Sequence, residues 1–188
     1  VDIGGTSIKH GVLDENAIIK ECNQTKTEAW LGGAAVLDKV KTIGKQYKEQ
    51  YENIEGICIS TAGMVDPEEG KIVFAGELMP DYTGTCIKKE LEKALEMPCE
   101  VENDVNCAGL AEYVSGSAKE SHIMFCATVG TGIGGCAIVN GRVFHGASNS
   151  ACEVGYIPMG DSDFQTLGAS SILVRKVAEK KIEPLDMW

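Results

Sequence analysis

An α/β architecture in two units follows from three features of the sequence. Short apolar runs broken by glycine-rich and acidic turns open the chain. Segments of helical period then alternate with buried-strand segments, and a fresh run of strands begins near residue 122. A chain of 188 residues can bury a real core, and 44% apolar with 24% charged residues is ordinary for a globular protein.

The elements follow in order. Val1–Ile3, Ser7–Leu13 and Ile18–Asn23 read as strands separated by GG and DEN turns, an antiparallel meander. Val36, Val40, Ile43 and Tyr47 keep helical spacing between Ala29 and Tyr47, and Gly32-Gly33 place the helix start just after them, since each glycine costs about 1 kcal/mol inside a helix. NIEGICIS at 53–60 is a mostly buried strand, TAGMVDPEEGK a loop, and Lys71–Phe74 a short strand. Ile87, Leu91 and Leu95 predict a helix over 85–95 that Pro98 helps to stop. Cys99–Glu102 is a strand that turns at Asn103-Asp104 into a helix carrying Cys107, Leu110, Ala111 and Val114. The polar stretch GSAKES at 116–121 sets the boundary, giving units 1–117 and 118–188. His122–Val129, Gly135–Val139 and Arg142–His145 are strands of the second unit, and a helix from about Leu167 to Lys180 turns Ile172, Leu173 and Val177 inward. Val1-Asp2-Ile3 is too short to anchor a central strand, and the second unit lacks closing elements, so chain is expected beyond both ends.

Composition excludes some functions. A net charge of -11 without a basic patch argues against nucleic acid and anionic membrane as partners. It leaves anionic ligands open, because backbone N–H groups and a metal receive those locally. No apolar run reaches spanning length, and nothing resembles a signal peptide. The eight cysteines lie singly, several inside apolar runs (Cys58, Cys126, Cys136), and none forms CxxC; buried free thiols in a reducing cytoplasm account for them. The three histidines share no ligand spacing with a cysteine pair, so no structural zinc is expected.

Four stretches place glycines or polar residues at the ends of apolar strands. In Asp2-Ile3-Gly4-Gly5-Thr6, glycines can present N–H groups to an anion, Thr6 and Lys9 can meet phosphate oxygens, and Asp2 can orient hydrated Mg²⁺. A plain hairpin turn explains the same residues equally well. Gly130-Thr131-Gly132-Ile133-Gly134-Gly135 matches G-x-G-x-x-G after a strand, but a strand follows where a dinucleotide motif needs a helix. It is therefore a second glycine hairpin, and two of them suggest duplicated lobes acting on one polyphosphate. Glu102-Asn103-Asp104 with Asn106 at a strand-to-helix junction is either a helix cap or the seat of a general base, Asp104. Glu153, among small residues in SACEVGYIP, is either a surface acid or a ligand contact.

DIGGTSIK, STAGMVD, VENDVNCAGLAE, GTGIGG and EVGY, in this order, resemble the ROK family of sugar kinases and related repressors, within the sugar kinase/actin/Hsp70 ATPase superfamily. The resemblance runs along essentially the whole chain. It implies two ribonuclease H-like lobes around a cleft, the second incomplete here, and transfer of the ATP γ-phosphate to a sugar hydroxyl with Mg²⁺. By the same resemblance Asp2, Gly4, Gly5, Thr6 and Lys9 match the first phosphate loop, and Thr131, Gly132 and Gly134 the second. Asp104 matches the catalytic base. Asn103 and Glu153 match sugar-hydroxyl ligands, and Gly63 a position whose backbone lies against the sugar.

Two departures refine this expectation. The family's E-x-G-H ends here in Tyr156, and IPMGDSDFQTLGASS replaces the cysteine-rich zinc motif. The chain thus resembles a zinc-free branch, in which Tyr156 can still donate a hydrogen bond to the sugar. Loss of the zinc motif's second acid leaves one end of the sugar less tightly held and suits a substituted or larger glycoside. Its middle segments resemble β-glucoside kinases of low-GC Gram-positive bacteria. Glucokinase, N-acetylmannosamine kinase, fructokinase and a sugar-sensing transcriptional regulator are the alternatives within the fold. The family's adenine-contacting motif lies beyond Trp188. Sugar and ATP are the expected partners, with a cytoplasmic homodimer expected for the full-length protein.

Overall fold

The opening turns fold as their residues demand. Asp2–Ile3 (β1), Ser7–Leu13 (β2) and Ile19–Lys26 (β3) form the antiparallel meander. Asp14 closes the second turn, its Oδ1 accepting from the N–H groups of Asn16 and Ile18 at 3.0 and 2.9 Å. β3 continues past the expected Asn23 because its ladder with β2 runs to the Ser7–Lys26 pair. The structure is a computed structural model and describes residues 1–179.

A 3-10 turn over Ala29–Leu31 leads to Gly32 at φ 88°, which caps the helix Gly33–Gln50 (α1). Its buried face carries Val36, Val40, Ile43 and Tyr47, as the spacing predicts. Gly33 belongs to the helix instead of preceding it, and a Cβ there would lie 2.7 Å from the Asp81 carbonyl oxygen. The next strand is Ile57–Thr61 (β4), so 53–56 stays outside it. Three residues inside the expected loop are also strand: Met64–Asp66 (β5) pairs with Lys71–Phe74 (β6). Burial of Val65 and Ile72 holds this hairpin, and Asp66 Oδ1 accepts two N–H groups in its turn. Ile87–Leu95 (α2) ends where Glu96 adopts the left-handed conformation, and Cys99–Asn103 (β7) follows.

These strands order as β3-β2-β1-β4-β7, with β1, β4 and β7 parallel. This is the ribonuclease H-like sheet of actin-like ATPases. Ile3, Ile8, Ile59 and Val101 pack in one cluster with Val36 and Val40 of α1 and Ile87, Leu91 and Leu95 of α2. Each such side chain contributes about 1.5–3 kcal/mol by leaving water.

The first compact unit is Val1–Asp104, and the second begins at Val105. The division falls earlier than 117/118 because the helix Asp104–Val114 (α3) packs on the following sheet. That sheet is Ile123–Val129 (β8), Ile133–Val139 (β9) and Arg142–Val143 (β10), antiparallel in the order β10-β9-β8. Met124, Cys136 and Ile138 form its core with Val105, Leu110 and Tyr113 of α3. Asn140 and Gly141, both at positive φ, make the tight turn between β9 and β10.

Pro158–Met159 (β11) and Ser162–Asp163 (β12) form a small hairpin before Phe164–Gly168 (α4) and Ser170–Glu179 (α5). The single expected helix is therefore two, broken at Ala169, which has extended backbone. Asp163 starts α4 by accepting the Thr166 N–H at 2.7 Å. Ile172 and Val177 are half-buried, but Leu173 is exposed; the expected end at Lys180 lies outside the described residues. All eight cysteines are free, and only Cys99 and Cys136 are buried. Cys58 is exposed because strand alternation turns it away from the face that buries Ile59. Among the described residues no helix is long and apolar enough to cross a membrane.

Candidate active site

In the first unit, strand register assembles the site. Ile3, Thr61 and Asn103 are direct partners across β1, β4 and β7. The Gly4–Thr6 turn, the Ala62-Gly63 turn and Asp104 therefore all leave the sheet at one carboxyl edge, where open α/β sheets bind ligands. One position earlier, Lys9, Asp2, Ser60 and Glu102 pair in a row, so their side chains share a face. Ser60 Oγ donates to Asp2 Oδ1 at 2.8 Å. Asp2 is half-buried, while Gly5, Thr6 and Lys9 are exposed.

Gly63 has φ 99°, and its carbonyl accepts the Asn103 side-chain amide at 2.9 Å. The same amide nitrogen donates to Asp104 Oδ1 at 3.0 Å. Asn103 thus ties the Gly63 turn to the acid, and its backbone N–H is held by Glu102 Oε1 at 2.8 Å. Asp104 is exposed and opens α3, where the positive end of the helix dipole favours a carboxylate. Beneath the Gly63 turn lies a pair that the sequence did not flag. Thr61 and Tyr82 are fully buried and share a hydrogen bond of 2.8 Å, and burial pushes the Tyr82 phenol up to about 12.

In the second unit the G-x-G-x-x-G stretch divides in two. Gly130, Thr131 and Gly132 form the exposed tip of the β8–β9 hairpin, closed by the Gly130 N–H on the Gly132 carbonyl at 2.9 Å. Gly134 and Gly135 lie inside β9 and allow close packing. A Cβ on Gly134 would stand 2.5 Å from Val105 Cγ2, and one on Gly135 2.6 Å from the Cys152 carbonyl oxygen. Gly155 of EVGY meets β9 the same way, its Cβ falling 2.3 Å from the Ile133 carbonyl oxygen. Glu153 is half-buried just before the 3-10 turn Val154–Tyr156, and Tyr156 is 52% exposed. The structure thus gathers Asp2, Gly4, Gly5, Thr6, Lys9, Gly63, Asn103 and Asp104 in the first unit. In the second it gathers Thr131, Gly132, Gly134, Glu153 and Tyr156 around the start of β9.

Comparison with known proteins gives this geometry its context. The model of the ROK family matches residues 1–169. The chain belongs to the ROK family. It is 51% identical over 185 residues to the uncharacterized protein CPE0188 of Clostridium perfringens, covering 98% of this chain and 62% of that one. It is 33% identical over 156 residues to the β-glucoside kinase of Listeria monocytogenes, covering 83% and 51%. The structure of a ROK family glucokinase from Streptomyces griseus in complex with glucose and AMPPNP superposes with a TM-score of 0.83 at 27% identity, covering 95% of this chain and 59% of that one. This ROK chain therefore spans between about half and three fifths of the length of these relatives.

Proposed function

We propose that the full-length protein is an ATP-dependent sugar kinase that phosphorylates a hexose or β-glucoside, at O6. The observation that carries the reading is Asp104. It is an exposed carboxylate at the carboxyl edge of the sheet, tied through Asn103 to the Gly63 turn and aligned with the Gly4–Thr6 turn. Asp104 accepts the proton of the sugar hydroxyl as its oxygen bonds to the γ-phosphorus and ADP departs. Asn103, the Gly63 backbone, Glu153 and Tyr156 hold the remaining sugar hydroxyls. The tips at Gly4–Thr6 and Gly130–Gly132 offer backbone N–H groups to phosphate oxygens, and Lys9 adds a positive charge.

Asp2 suits a hydrated Mg²⁺. Ser60 fixes one carboxylate oxygen, and a single acid fits a cation that keeps most of its waters. When bound there, Mg²⁺ neutralises charge on the phosphates. The similarity to a β-glucoside kinase and the exposed Tyr156 support a substituted glycoside as substrate.

The test is an ATP turnover assay of the full-length protein against glucose, N-acetylmannosamine, fructose and cellobiose. Asp104→Asn is expected to keep sugar binding and lose about 10²–10⁴-fold in turnover. Near-normal turnover in that variant removes Asp104 from the mechanism. Sugar binding without ATP turnover in the wild type replaces the kinase reading with a sensor.

A further inference from the structure

A hairpin tip carries carbonyl oxygens as well as N–H groups, and an anion is repelled by the first as much as it is drawn to the second. Whatever fixes the peptide planes of the tip therefore decides whether it receives phosphate. Both glycine hairpins of this chain have such a device, built from different residues.

In the first unit the device is Thr27, fully buried just past the end of β3. Its Oγ1 donates to the Gly4 carbonyl at 2.6 Å, and its N–H donates to the Thr6 carbonyl at 3.1 Å. Thr27 is itself held from behind, since Lys39 Nζ donates to its carbonyl at 2.9 Å. In the second unit the device is the pair that opens α5. Ser170 gives both its N–H (3.0 Å) and its Oγ (2.6 Å) to the Gly130 carbonyl, and Ser171 Oγ reaches the Thr131 carbonyl at 2.9 Å. In each tip two carbonyls are thereby occupied. The two successive N–H groups, Gly5 and Thr6 in one and Thr131 and Gly132 in the other, have no hydrogen-bond partner among the described residues.

We propose that Thr27, Ser170 and Ser171 are positioning residues for phosphate binding. Their hydroxyls latch the tip carbonyls and so leave the N–H groups turned to the nucleotide. This rests on the phosphate-loop reading above and adds three residues that lie outside both glycine motifs. Thr27 acts from the far end of the meander, and the serines act across the break at Ala169. That break now has a role, because it starts α5 at Ser170 and brings both hydroxyls to the hairpin.

The experiment measures ATP and inorganic triphosphate binding to the full-length protein by calorimetry, with KM for ATP and for sugar in parallel. Thr27→Val keeps the shape and the backbone N–H but loses the hydroxyl, and Thr27→Ser retains the hydroxyl. Thr27→Val and Ser170→Ala/Ser171→Ala are each expected to weaken ATP and triphosphate about tenfold, the worth of one lost hydrogen bond to a fixed group, while Thr27→Ser stays near wild type. KM for sugar should not move, which separates a latch from general loosening. Ser171 is exposed, so Ser171→Ala alone tests the idea even where Thr27→Val fails to fold. Unchanged triphosphate affinity in the serine variants, with the wild type binding normally, overturns the latch and leaves the kinase reading standing. A wild type that binds neither ATP nor triphosphate overturns both.

Discussion

Replacing Gly63 by alanine tests the joint between fold and site. The φ of 99° at this residue lies where an L side chain is strained, at a cost of about 1–3 kcal/mol. The new Cβ would also stand 2.7 Å from the Phe74 carbonyl oxygen. That oxygen ends β6, whose hairpin is anchored by buried Val65 and Ile72, so relief must come from the Gly63 turn. Moving the turn by a few tenths of an ångström stretches the 2.9 Å bond from Asn103 toward the limit of a useful hydrogen bond. Loss of that bond adds about 0.5–1.5 kcal/mol. Gly63→Ala should therefore destabilise the chain by about 2–4 kcal/mol, a fall in Tm of roughly 4–16 °C for this size. Urea denaturation followed by circular dichroism measures the first and a thermal scan the second. In an Asn103→Ala background the penalty should shrink, because the hydrogen-bond share is already gone. A Gly63→Ala protein within about 0.5 kcal/mol of wild type, the range of an ordinary surface change, would refute the argument.

Two further expectations concern the fold around the site. The buried Tyr82 phenol titrates near 12 when folded and near 10 when unfolded, so above pH 10 the unfolded chain binds fewer protons and stability falls as pH rises. About 2–3 kcal/mol should be lost between about pH 10 and 12, and Tyr82→Phe should flatten that slope, since Thr61 Oγ1 also reaches the Ala62 carbonyl; equal alkaline slopes would sink the assignment. Gly109→Ala places a Cβ 2.6 Å from Cys136 Sγ and should cost about 1–3 kcal/mol by forcing α3 off its sheet. Denaturation should show a smaller penalty in a Cys136→Ala background, and an identical one would mean that the contact is not the cause.

The motifs were legible because each sits at a strand end, where an apolar run stops at a glycine or an acid. DIGGT and NDVN could be placed on their turns from that pattern alone. What escaped was held by long-range contacts. Residues 64–66 read as loop because three residues show no period, and only pairing with β6 makes them strand. Gly168, directly before the break at Ala169, is a stop signal present in the sequence, but the Ser170 and Ser171 bonds to residues 130 and 131 that accompany the break are invisible along the chain. Ser60, Thr27 and Tyr82 were likewise missed, since each acts on a residue twenty or more positions away.

The sequence by itself determined the chemistry on offer: which turns lack side chains, where Asp104 and Asn103 follow a strand, and which family order the motifs keep. Those properties are local, set by residue type and spacing. The tertiary structure decided what those groups face. Register across β1, β4 and β7 put three loops at one edge, and α3 joined the second sheet because Gly109 and Val105 pack there. Hydroxyls from distant segments took up the hairpin carbonyls, because the pairing of β3 with β2 and the start of α5 at Ser170 bring Thr27, Ser170 and Ser171 beside the tips.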